Sequence, residues 1–153
     1  MARKDYIELK TAIPGPTGME WYARDRASIS PSYVRPYVLV ADHAEGMQVV
    51  DVDSNTYLDF TAGVAVNSTG HRHPEVVQAI KDQADKLVHM SGTDFFYPIQ
   101  IELAEKIKEI TPGPTEKMVW YGNSGAEAVE AGLKLARYHT KRSLALAFFG
   151  GFH

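Results

Sequence analysis

Polar and apolar positions change rhythm along the chain. Short alternating runs fill the first sixty residues, and stripes of three- and four-residue period follow. Tyr37 to Val40, Gln48 to Val52 and Thr56 to Phe60 read as short strands, and the polar turn Asp53-Ser54-Asn55 joins the last two into a hairpin. A helix is predicted over Thr17 to about Ile29, closed by Pro31 and Pro36. Gly63 to Gly70 reads as a loop. Pro74 then opens a helix with its stripe at Val77, Ile80, Ala84, Leu87 and Val88. A second amphipathic helix is predicted from Pro98 to Ile110, stopped by Thr111-Pro112-Gly113-Pro114. From Lys117 the pattern is strand, helix, strand: Met118 to Tyr121, a helix from about Ala126, and an apolar run ending at Phe149. That order predicts a parallel pair with a right-handed crossover. The expected class is α/β, with a small α+β segment over residues 1–62 and an incomplete larger domain over 63–153. Both apolar runs are hydrophobic on successive residues, as strands covered on two faces are, yet few elements are present to cover them. The isolated chain is therefore expected to expose apolar surface.

The turn Gly122-Asn123-Ser124-Gly125 carries the candidate chemistry. A glycine-bearing turn between a strand and a helix start leaves unpaired backbone N–H groups aimed at one place, a setting for a phosphate. Ser124 to Glu127 also matches the S-x-x-E capping box, in which the helix end closes on itself. Both alternatives stand at this level. Neither G-x-x-x-x-G-K-[ST] nor G-x-G-x-x-G occurs. The turn is expected at the carboxyl end of its strand, where open α/β sheets place ligands. Phe152 and His153 would follow the second strand at the same edge. Glu130 and Lys134 form an i,i+4 pair on the polar face of the helix.

Composition removes several classes. The 153 residues are 44% hydrophobic and 23% charged with a formal net charge of −3, and the basic residues are dispersed. That argues against a nucleic-acid surface. The longest apolar run, Leu144 to Phe149, is too short to span a bilayer, and the N-terminus lacks the apolar core of a signal peptide. Zero cysteines exclude disulfides and thiolate chemistry and agree with a cytoplasmic home. His71-Arg72-His73 has no carboxylate cluster to complete a metal site, so no metal is expected. Asp51, Asp53 and Asp59 read as hairpin-turn acids rather than paired acid/base groups. Ser124 lacks the G-x-S-x-G spacing of a hydrolase nucleophile. The final Gly150-Gly151-Phe152-His153 after an apolar run reads as a chain cut short.

Taken together, several motifs carry a resemblance. They are Val52-Asp53 through Tyr57-Leu58-Asp59-Phe60, Gly63 with Val66-Asn67, and Gly70-His71 with His73-Pro74. Glu102 to Lys106, Asn123 to Ala128 with Glu130, Lys134 to Arg137 and Gly151-Phe152-His153 complete the set. In order and spacing the chain resembles the N-terminal part of the class III pyridoxal-phosphate aminotransferases, the group acting on 4-aminobutyrate, acetylornithine and ornithine. The resemblance implies the fold-type I transferase architecture and pyridoxal 5'-phosphate as cofactor. It implies that Ser124, Gly125 and Ala126 hold the cofactor phosphate, that Phe152 stacks on the ring with His153 beside it, and that Glu130 lies near. Val66-Asn67 and Phe95 to Tyr97 would flank the substrate entrance. The family's cofactor-bearing lysine, the aspartate facing the ring nitrogen and the arginine for a substrate carboxylate all lie beyond His153. No catalytic residue is thus expected within this chain, which alone should be inactive. The implied partners are a small amino donor and a 2-oxo acid, with a homodimer or higher homo-oligomer at full length. An amino-acid racemase or epimerase of the same fold, or a non-catalytic remnant, are the alternatives.

Overall fold

The computed structural model describes residues 6–151. Two compact units divide the chain, residues 1–89 and 90–153.

In the first unit, α1 (Pro16–Ser28) precedes an antiparallel meander of β1 (Ala41–Glu45), β2 (Gln48–Asp51) and β3 (Thr56–Leu58). The last two strands lie where the alternation puts them. The first does not: Tyr37 to Val40 is irregular, and the polar run Ala41–Glu45 pairs instead. Gly46 at φ 56° permits a two-residue connection that sets Glu45 opposite Gln48, so the turn rather than hydrophobicity fixes the strand. Gly70, at φ 90°, lies so close that a Cβ there would come 3.2 Å from the Gly46 carbonyl oxygen. That approach lets Gly46 and His71 exchange backbone hydrogen bonds of 2.9 and 2.8 Å.

A polar knot replaces an apolar core. Among the described residues no hydrophobic side chain is buried, whereas Asn55 is completely buried. Its Oδ1 accepts from the Lys10 and Thr11 N–H groups at 2.7 and 2.9 Å. Its Nδ2 donates to Thr11 Oγ1 and Asp51 Oδ2, both at 2.9 Å. Burial works to raise the Asp51 pKa, but hydrogen bonds from Asn55, Tyr57 and Asp53 hold the carboxyl below its ordinary range. Desolvation, and then the bond to Asp51, push the Tyr57 phenol up to about 12. Asp53 caps α1 from a distance, accepting from Thr17 N–H at 2.9 Å and Gly18 N–H at 2.7 Å. The helix needs this help because its own N-cap residue, Gly15, has no side chain to offer.

Residues 59–71 hold a second knot. The predicted loop contains a single left-handed turn, α2 (Ala62–Ala65), with φ of 48°, 64°, 59° and 65° along its four residues. Three of these are not glycine, and the β-branched Val64 is the most strained of them. Asp59 clamps the turn. Its Oδ1 accepts from Thr61 N–H, Thr61 Oγ1 and Ala62 N–H, and its Oδ2 from His71 Nε2 at 2.6 Å. Those bonds, with His71 the strongest, hold the Asp59 carboxyl well below the usual carboxylate range. Asp59 therefore contributes stability that is present above the unfolded-state pKa near 4 and lost as pH falls below it. Protection of the Ala65 and Asn67 amides against hydrogen exchange should fall on acidification below about pH 4, and Asp59→Asn should remove that acid dependence.

The unit closes with α3 (Pro74–Lys86), and the second contains α4 (Pro98–Ile110) and α5 (Gly125–Thr140). Proline stands at the first position of α1, α3 and α4, where its missing N–H costs no intrahelical bond. The parallel sheet expected from Met118 to Tyr121 and Leu144 to Phe149 is not formed within the described residues. A ladder requires a second strand alongside, and neither segment has one. Met118 and Phe149 are wholly exposed instead, as the uncovered apolar runs led us to expect.

Candidate functional site

The turn before α5 is built by local chemistry. Tyr121 Oη donates to the Gln100 carbonyl at 2.9 Å and ties the end of the extended segment to α4. Gly122 then passes beneath the Trp120 ring: a Cβ there would meet Trp120 at 2.7 and 2.9 Å and Glu127 Cβ at 3.2 Å. Ser124 is the N-cap, with extended backbone, and its Oγ accepts from Glu127 N–H at 3.2 Å. The Glu127 carboxylate reaches back to accept from Asn123 N–H. The Ser124 half of the capping box is thus made, while the Glu127 carboxylate takes the Asn123 N–H, one residue before the N-cap amide, and the Ser124 N–H has no partner among the described residues.

Within the first turn of α5 this cap also leaves two amides over. It uses the amides of Asn123 and Glu127, and Ala128 N–H bonds the Ser124 carbonyl at 3.1 Å. Among the described residues the N–H groups of Gly125 and Ala126 have no partner. Open space lies where a Gly125 Cβ would stand. The cap and an anion cup are thus compatible, because they draw on different amides of one helix end. The Ser124 hydroxyl, accepting through its oxygen, keeps its proton as a further donor.

A groove of about 710 Å³ runs beside this turn and along the first turns of α5. Ala126 and Glu130, two of the residues singled out in the sequence, line it together with Trp120, Asn123, Glu127 and Lys134. Glu130 pairs with Lys134 at 3.4 Å. The Lys134 ammonium in the groove was missed as a site feature; read from sequence, it was only half of a surface ion pair. Ser124 and Gly125 form the adjoining turn rather than the groove wall. Phe152 and His153 lie outside the described residues.

Gly122→Ala should push the Trp120 ring from the turn, because the added methyl overlaps two ring carbons. The expected result is a red shift of Trp120 emission, read with Trp21→Phe as background. Unchanged emission would mean that the ring does not pack there.

The family pattern described as "Aminotransferase class-III" matches residues 29–153. The chain belongs to this family. It is 41% identical over 134 residues to an isoleucine 2-epimerase from Lentilactobacillus buchneri, covering 88% of this chain and 28% of that one. It is 39% identical over 137 residues to a probable 4-aminobutyrate aminotransferase from Bacillus subtilis, covering 90% of this chain and 31% of that one. Among solved structures it resembles the taurine:2-oxoglutarate aminotransferase from Bifidobacterium kashiwanohense, crystallised with PLP and glutamate. There the TM-score is 0.73 at 27% identity, covering 82% of this chain and 28% of that one. The chain thus spans less than a third of the length of these proteins. The fold is that of the fold-type I aminotransferases, of which the described elements form an N-terminal portion.

Proposed function

We propose that the class-III aminotransferase to which these residues belong moves an amino group from an amino acid or ω-amino acid, such as 4-aminobutyrate, to a 2-oxo acid. Pyridoxal 5'-phosphate is its proposed cofactor. The observation that carries this is the pair of unpartnered amides at Gly125 and Ala126 beside the Ser124 hydroxyl, opening on free space at the start of a 16-residue helix. These donors and the helix dipole suit a phosphate dianion. When bound, pyridoxal phosphate supplies a ring that accepts electron density from the amino-acid α-carbon. The residues here would hold its phosphate at Ser124, Gly125 and Ala126, with Glu130 and Lys134 along the groove. Phe152 and His153 are proposed beside the ring on the family resemblance. The proposed assembly is a homodimer or larger homo-oligomer in the cytoplasm. No helix among the described residues is long and apolar enough to cross a membrane.

An epimerase of the same fold is the second reading, favoured by the isoleucine 2-epimerase among the relatives. One assay separates them: cofactor-loaded complete protein is given an L-amino acid and 2-oxoglutarate. Formation of glutamate supports transamination, whereas loss of optical activity without glutamate supports epimerisation. Background rates of both would contradict the proposed chemistry as a whole. The 153-residue chain alone should give neither.

A further inference from the structure

Asparagine is chemically labile because its own backbone can attack it. The N–H of the next residue, once deprotonated, closes on the side-chain amide carbon. Three conditions favour this reaction. The following amide must be free of hydrogen bonds, the side chain must be free to swing toward it, and water must reach both. The chain has three asparagines, Asn55, Asn67 and Asn123, and they meet these conditions to different degrees.

Asn55 meets none of them. It is completely buried, its Oδ1 and Nδ2 make two hydrogen bonds each, and the following Thr56 N–H donates to the Glu8 carbonyl at 2.7 Å. Asn67 has a following amide, Ser68 N–H, without a partner among the described residues, but its side chain is held. The residue is half-buried, and its Nδ2 lies 3.4 Å from His71 Nδ1. A Cβ on Gly63 would come 3.2 Å from that same nitrogen. The Asn67 main chain is tied on both sides as well, donating to the Ala62 carbonyl and accepting from Gly70 N–H, both at 2.8 Å.

Asn123 meets all three conditions. Asn123 and Ser124 are both exposed, and Asn123 lines the groove beside α5. Its side chain makes no hydrogen bond among the described residues, and neither does the Ser124 N–H. Glu127 holds only the Asn123 N–H, on the far side of the residue from the reacting amide.

We propose that Asn123 is a site of self-modification, at which the Ser124 amide converts the side chain to aspartate or isoaspartate. The Ser124 amide proton passes to water or hydroxide, and the nitrogen attacks Asn123 Cγ. The Cγ–Nδ2 bond breaks, and Nδ2 takes a proton from water and leaves as ammonia. Water then opens the cyclic imide. Cleavage at Cγ gives aspartate, whereas cleavage at the main-chain carbonyl gives isoaspartate and lengthens the backbone immediately before the N-cap. The proposal stands apart from the cofactor reading, since it needs only the chain and water.

The test incubates the 153-residue chain, without cofactor, in mildly alkaline water enriched in heavy oxygen, so that conversions during incubation carry the label. Peptide mapping reads each asparagine separately and resolves isoaspartate from aspartate. In native buffer Asn123 should convert about tenfold faster than Asn67, the effect of one hydrogen bond that Asn67 must give up. Asn55 should stay intact over the same time. In concentrated urea Asn67 and Asn123 should convert at equal rates, since each is followed by serine. Isoaspartate should form beside aspartate at Asn123, the mark of the cyclic imide. Aspartate alone would mean direct hydrolysis, and equal native rates at Asn67 and Asn123 would mean that the fold selects neither. Either result would overturn the proposal.

Discussion

Asn55→Ala should release the N-terminal segment from the hairpin and destabilise the first unit by about 2–4 kcal/mol. The side chain is completely buried and makes four hydrogen bonds, two accepted from the Lys10 and Thr11 amides and two donated to Thr11 Oγ1 and Asp51 Oδ2. Truncation leaves those groups facing a cavity, and an unmade buried hydrogen bond costs far more than a made one gains. The loss matters because no buried apolar side chain is present among the described residues to compensate. Amide exchange at Lys10 and Thr11 should accelerate, together with that of Glu8 and Thr56, whose backbones pair at 3.1 and 2.7 Å. Asn55→Asp is the companion variant: it keeps the acceptor for Lys10 and Thr11 but places a second carboxylate against Asp51. It should retain part of the protection at neutral pH and regain more as the pair protonates. Unaltered exchange at Lys10 in Asn55→Ala would show that the segment is held by something else.

Much of the helical part was legible because its signals are local. Pro74 and Pro98 mark their helix starts, and the stripe from Val77 holds through Ala84, whereas α3 ends at Lys86 and leaves Leu87, with extended backbone, and Val88 outside the helix. The same holds for the Asp53-Ser54-Asn55 turn, which needs only polar residues and the positive φ that Ser54 adopts. What escaped was non-local. Asp53 caps a helix more than thirty residues away, a pairing with no sequence signature. β1 is a strand because Gly46 turns the chain back on β2, although Ala41–Glu45 shows no apolar alternation. The left-handed turn at Ala62–Ala65 opposes the intrinsic preference of alanine and valine, and only the Asp59 clamp and the Gly46–His71 contact explain it. At the candidate site, the glycine-bearing turn offered a phosphate setting and S-x-x-E a cap; the cap forms, and other amides of the same helix end stay unpartnered among the described residues. The choice between them rested on which amide each uses, and spacing alone does not specify that.

The phosphate reading therefore rests on Gly125 and Ala126, and Gly125→Asp addresses it directly. A Cβ at this position meets open space, so the substitution should not disturb the chain's own packing. An acidic side chain in the first turn of a helix is favourable to the dipole, and α5 already carries Glu127 there. As a helix cap alone, the turn should therefore accept Gly125→Asp with little change. As a phosphate cup, it should not: the new carboxylate stands where the phosphate would bind the Gly125 and Ala126 amides. Repulsion between charges a few ångströms apart near a protein surface is roughly 2–3 kcal/mol after solvent screening, or about a hundredfold in affinity. The measurement is the pyridoxal phosphate dissociation constant of the complete protein, parent and Gly125→Asp, beside the thermal stability of each cofactor-free form. The account predicts a loss of about a hundredfold in cofactor affinity with the cofactor-free stability unchanged. Equal cofactor affinity in the two proteins would contradict it.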